Sequence, residues 1–97
     1  MKFEDFKDDL LFTDTKHDNT IQHVYRFDNY WGVSVIKHAH GKYNVAVLVF
    51  SSNEERDYYI ERNNDYNDGL FLYVSKETVM EIMDNVKNFP KRVDKSE

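Results

Sequence analysis

Apolar and polar residues alternate most clearly between residues 20 and 50. In TIQHVYRF, residues 20–27, Ile21, His23, Tyr25 and Phe27 fall on one side, with Gln22, Val24 and Arg26 on the other. This period of two marks a strand with distinct faces. The alternation resumes after DNY, with Trp31, Val33 and Val35 on one side and Ser34 and Ile36 on the other. A loop at residues 28–30 pairs Phe27 with Trp31, Tyr25 with Val33 and His23 with Val35. That register gathers the bulky groups on one face, and a one-residue slip would scatter them.

The next run, YNVAVLVF at residues 43–50, is almost wholly apolar and β-branched, as in a central strand covered on both faces. Matching faces sets Val35 against Val45, Val33 against Val47 and Trp31 against Val49. Ala39, His40 and Gly41 then form a hairpin loop with His38 beside Lys42, and Gly41 suits the left-handed position.

Outside this block the signals are shorter. Phe3, Phe6, Leu10 and Leu11 are spaced for one face of a short N-terminal helix, followed by a polar loop at residues 13–19. RDYYIE, residues 56–61, is compatible with strand or helix, and its adjacent tyrosines and isoleucine favour strand. A long turn at residues 62–69 leads to LFLYV, a strand at residues 70–74. The final helix has Ser75 as N-cap, Glu77 in its first turn, and Val79, Ile82, Met83, Val86 and Phe89 at helical spacing before Pro90. The pattern predicts one α+β domain over residues 1–97. It is an antiparallel β-meander of three to five strands, packed with a short N-terminal helix and a C-terminal α-helix lying across the Trp31/Val33/Val35 face. One short helix covers one face of the central strand. The other is left to the Phe3/Phe6 segment or to a homodimer contact.

Composition narrows the function classes. Hydrophobic residues at 40% and aromatics at 15% suit a folded core despite 32% charged residues. The chain has no cysteine, which excludes disulfides, thiolate zinc sites and thiol nucleophiles and fits a reducing cytoplasm. No apolar run approaches the roughly 20 residues of a membrane span, and the acidic N-terminus does not resemble a signal peptide. The expectation is a soluble cytoplasmic protein. Its net charge of −5 disfavours general nucleic-acid binding, which needs a cationic face. Lys91, Arg92 and Lys95 nonetheless form a local basic patch, and a small nucleic-acid-binding regulator is the alternative reading.

No catalytic constellation emerges, so the chain is read as a non-enzyme without cofactor or metal. His38 and His40 stand two apart, but a stable zinc site needs about three or four ligands. Lys37 and Lys42 would repel the cation, and His17 and His23 precede the first hairpin. His23 lies on an apolar strand face, as a core or boundary histidine does. Gly32, Gly41 and Gly69 are isolated, so no phosphate-binding loop is present. DYNDG, residues 65–69, resembles part of a calcium loop but has Ser75 where the bidentate glutamate belongs. One segment suggests recognition. Residues 54–68 carry six acids against two arginines, with tyrosines interleaved. Glu54, Glu55, Tyr58, Tyr59, Glu61, Asp65 and Tyr66 are the candidate partner-binding residues, tyrosine supplying anchors and the acids steering a basic protein. The competing explanation places Tyr58 or Tyr59 in the core, since adjacent strand residues face opposite ways.

RFDNYWGVSVIKH, residues 26–38, resembles a motif of small phage- and prophage-encoded proteins of unassigned function from Gram-positive hosts. Their pattern runs roughly Phe-Pro-Asn-Gly-Tyr-Gly-Ala-Ser-Val, ahead of a β-rich middle and a short C-terminal helix. Phe27, Asn29, Gly32, Ser34 and Val35 match it, while Asp28 replaces the proline and Tyr30 a glycine. The resemblance covers about half the chain and carries over no functional residue. It implies a phage setting, in which a small non-catalytic protein binds and inhibits a host or anti-phage defence protein in the host cytoplasm.

The helix start is testable by itself. Ser75→Ala should cost on the order of 1 kcal/mol in urea denaturation, and a shift near zero would show that Ser75 is not the cap.

Overall fold

Both central hairpins adopt the expected register in the computed structural model, which describes residues 2–15, 20–51, 58–60 and 66–90. Strands β1 to β6 span Leu10–Thr15, Ile21–Arg26, Trp31–Lys37, Tyr43–Phe50, Tyr58–Ile60 and Leu70–Val74, and helix α1 spans Lys76–Lys87. Tyr25 pairs with Val33 and His23 with Val35 between β2 and β3. Trp31 pairs with Val49, Val33 with Val47 and Val35 with Val45 between β3 and β4.

The Phe27 N–H donates to the Trp31 carbonyl at 2.8 Å, closing the first hairpin, and Tyr30 has φ 67°. This is the left-handed residue that closes a three-residue hairpin. Tyr30 occupies it in place of glycine, and its carbonyl accepts from the Phe50 N–H at 2.9 Å. The second hairpin is closed by His38 N–H donating to the Lys42 carbonyl at 2.7 Å. Its loop, Ala39–Gly41, bends through positive φ at both His40 (64°) and Gly41 (70°). A Cβ on Gly41 would meet no neighbour, so backbone conformation rather than space favours glycine there.

Among the described residues the sheet has six antiparallel strands, more than the three to five predicted. The first five run as a meander. β5 then lies along residues 48–50 of β4, and β6 along residues 43–46, so the two share one edge of the sheet. β1 is the strand that the sequence pattern concealed. The expected N-terminal helix is a 3-10 helix over Phe3–Asp9, and Leu10 and Leu11 belong to β1 rather than to it. Thr13, Asp14 and Thr15, expected in a loop, pair with His23, Gln22 and Ile21. As an edge strand with no fully buried side chain, β1 carries no clear hydrophobic period.

The core forms on both faces of the sheet. On one face Tyr25, Phe27, Val33, Val35, Val45 and Val47 meet Val79, Ile82, Met83 and Val86 of α1, as the expected helix placement required. The Phe3/Phe6 segment packs on this same face, with Phe6 against Phe27 at 6.2 Å and Phe3 against Tyr43 at 5.9 Å between ring centroids. It therefore does not cover the second face. There Val24, Leu48 and Phe50 form a smaller cluster with Phe12, Ala46 and Tyr58.

Helix α1 is fixed at both ends. Ser75 Oγ accepts from the Thr78 N–H at 3.2 Å at the start. At the other end buried Asn29 reaches across from the β2–β3 loop. Its Nδ2 donates to the carbonyls of Val86 (2.9 Å), Lys87 (3.2 Å) and Phe89 (3.0 Å), and its Oδ1 accepts from the Trp31 N–H at 3.0 Å. The last carbonyls of a helix lack intrahelical donors, and this amide supplies one to Val86 and Lys87, the Val86 carbonyl also accepting from the Phe89 N–H at 3.1 Å. Trp31 and Phe89 meet edge-to-face beside it, with centroids 5.0 Å apart.

Asn29→Ala should lower stability by about 1–3 kcal/mol in urea denaturation. Asn29→Asp should cost at least as much at neutral pH, because a carboxylate donates nothing and places negative charge at the negative helix end. Two variants as stable as the parent would show that the cap contributes nothing.

Candidate functional site

Among the described residues, His23, His38 and His40 do not come together as one cluster. His40 is exposed at the loop tip, while the Nε2 atom of His38 is enclosed and without a hydrogen-bond partner among the described residues. Among the described residues no three His, Cys, Asp or Glu side chains lie together as metal ligands would. His23 sits between β1 and β3, with its Nδ1 2.9 Å from Thr13 Oγ1, and burial pushes its pKa below the ordinary imidazole value. His17 lies outside the described residues. Burial likewise raises the Tyr25 phenol above its usual value.

The residues that carry the phage-protein resemblance all have structural work. Phe27 is buried between the sheet and the N-terminal segment, Asn29 caps α1, and Val35 is fully buried under the helix. Ser34 Oγ accepts from Gln22 Nε2 at 2.7 Å across the strands. At Gly32 a Cβ would collide with the Tyr25 carbonyl oxygen and the Phe50 ring, so a side chain is excluded by space. These residues build a hairpin that holds the helix.

The acidic tyrosine segment is divided by the sheet. Tyr58 turns to the second face and packs its ring 5.4 Å from that of Phe50. Tyr66 is on the helix face, edge-on to Phe71 at 5.0 Å and to Phe89 at 5.6 Å, and its hydroxyl accepts from Asn85 Nδ2 at 2.8 Å. Tyr59 alone of the three is exposed, at 50%, next to Ile60 at 40%. Glu54, Glu55, Glu61 and Asp65 lie outside the described residues, as do Lys91, Arg92 and Lys95 of the basic patch. At the DYNDG segment, Asn67 Nδ2 donates to the Leu70 carbonyl at 2.6 Å, so that side chain closes the turn.

Sequence reasoning missed the most exposed apolar residues. Leu72 is 67% and Tyr73 59% exposed, both on β6 at the same sheet edge as Tyr59 and Ile60. The cause is a bulge. Tyr43 pairs with Val74 and Val45 with Phe71, so β6 has one more residue than β4 across that interval. Tyr73 takes φ 57°, its N–H donates to Asn44 Oδ1 at 2.8 Å, and Lys42 Nζ lies 6.0 Å from its ring centre. Such a bulge re-aims side chains, and a short run such as LFLYV shows no alternation that would reveal it.

No family model, curated protein or solved structure matches the chain.

The burial of His23 has a pH consequence. A base whose folded pKa is lowered stabilises the fold while neutral, and that stability is lost as pH falls from the ordinary value of 6.5 towards the lower folded value. Thermal melting followed between about pH 7.5 and 5 should show a drop that is smaller in His23→Gln. Equal slopes in the two proteins would exclude a contribution from His23.

Proposed function

We propose that this protein is a non-catalytic protein-binding module whose partner docks along β5. The observation that carries this reading is the pair Tyr59 and Ile60, respectively 50% and 40% exposed on an edge strand. Neighbouring strand residues point to opposite faces, so this pair offers an apolar grip on both sides of the edge. Tyrosine is a frequent anchor in protein interfaces. The six acids among residues 54–68 give the surrounding sequence a charge that would steer a basic partner. The structural employment of Asn29, Gly32, Ser34 and His23 supports a binding rather than catalytic role. In the setting implied by the phage-protein resemblance, the module acts as an inhibitor of a host or anti-phage defence protein in the host cytoplasm.

The test is capture of a partner by the tagged full chain from bacterial lysate, followed by calorimetry with the purified partner. The Tyr59→Ala/Ile60→Ser variant should retain its melting temperature and bind at least about 30-fold more weakly. Unchanged affinity would remove β5 from the interface. Binding of nucleic acid with a steep loss in salt would favour the regulator reading instead.

A further inference from the structure

We infer that the N-terminal segment Phe3–Asp9 is a strap that swings off the helix face as a unit while the sheet and α1 stay folded. The device is independent of the docking proposed at β5. The segment is a 3-10 helix of seven residues, and such runs beyond about four residues are uncommon because their hydrogen bonds are poorly aligned. Among the described residues, no backbone hydrogen bond joins it to β2–β6 or to α1. Its end bonds are local, the Asp5 N–H donating to the Lys2 carbonyl at 3.0 Å and the Leu10 N–H to the Lys7 carbonyl. Side chains alone hold it down. Its buried anchor is Phe6, 3% exposed, with its ring against that of Phe27. Around it Phe3 meets Tyr43, Lys76 stands over Phe3, and Lys87 donates to Asp9. Lys87 is 44% exposed, and contacts made by exposed lysines are individually weak, so the strap is held mainly by one ring.

The chain has a place to turn where the strap joins the sheet. Leu10 pairs with Tyr25 and Phe12 with Val24, so Leu11 is an extra residue on β1. A step of this kind interrupts the ladder and bends the strand. From Phe12 to Thr15 the pairing with β2 is regular, and that part of β1 stays in the sheet when the strap leaves. Elements with few buried contacts open at a lower free energy than the whole fold. Opening uncovers Phe27 and Tyr43, each buried in the closed form with a strap ring against it. The strap is therefore a gate over apolar surface beside α1, with Lys87 and Asp9 as its catch.

Amide hydrogen exchange of the full chain, followed by NMR at a series of low denaturant concentrations, tests this. The Asp5 and Leu10 amides lie at the two ends of the strap and should exchange through one opening with a common protection factor. That factor should be at least about tenfold below those of Val33 and Val35 in the central strand β3, and nearly independent of denaturant. Phe6→Ala removes the anchoring ring. In that variant the signals of residues 3–9 should move to unstructured positions, while those of β2, β3, β4 and α1 keep their folded dispersion. Protection graded from Asp5 to Leu10 would mean end fraying and not a unit. A denaturant slope shared with Val33 and Val35, strap signals unchanged in Phe6→Ala, or loss of the whole fold in that variant would each overturn the inference, as would graded protection.

Discussion

The side-chain amide of Asn29 ties the sheet to its helix. A helix end buried against a protein core leaves carbonyls that water cannot reach, and each needs a donor from elsewhere. Here that donor comes from a hairpin loop far away in sequence, contacting the carbonyls of Val86, Lys87 and Phe89. The same loop is locked from the other side, because Asn29 Oδ1 accepts from Trp31 and the Tyr30 carbonyl accepts from Phe50. Three strands and the helix thus share one anchoring point. The left-handed conformation of Tyr30, unfavourable for an aromatic residue, is tolerated because these bonds determine the turn around it.

The N-terminal segment is tied to that assembly by both ends of α1. Lys76 Nζ stands 5.7 Å from the ring centre of Phe3, and Lys87 Nζ stands 5.5 Å from that of Phe6 while donating to Asp9 at 2.9 Å. With Lys87 44% exposed, the ion pair is worth about 0–1 kcal/mol, and burial of Phe6 contributes more. Packing two elements on one face leaves the other face to Val24, Leu48, Phe50 and their neighbours. Most of the aromatic residues are consumed in this packing. Among the described residues, the exposed aromatics Tyr59 and Tyr73 lie on the edge made by β5 and β6.

How legible each part was depended on how local its physics is. The β2–β3 and β3–β4 registers followed from alternation, since a shift of one residue would turn every bulky side chain outwards. β1 escaped because an edge strand with no fully buried side chain has little periodicity to read. The acidic tyrosine set was only partly informative. Adjacent Tyr58 and Tyr59 had to face opposite ways, but nothing local assigned Tyr66 to the ring cluster with Phe71 and Phe89. The short apolar run LFLYV gave no sign that Leu72 and Tyr73 are exposed, because the bulge in β6 arises only when it meets β4.

The sequence by itself determined the α+β class, the two hairpins with their turn residues, and the Ser75-capped helix. Those depend on side-chain alternation, backbone preference and bonds between near neighbours. Only the tertiary structure decided that the last sheet edge is shared by two strands, that the N-terminal segment joins α1 on one face, and that Asn29 closes the helix from 57 residues away. Each of these contacts depends on which surfaces remain unfilled after the local elements form, and a one-dimensional pattern does not record that.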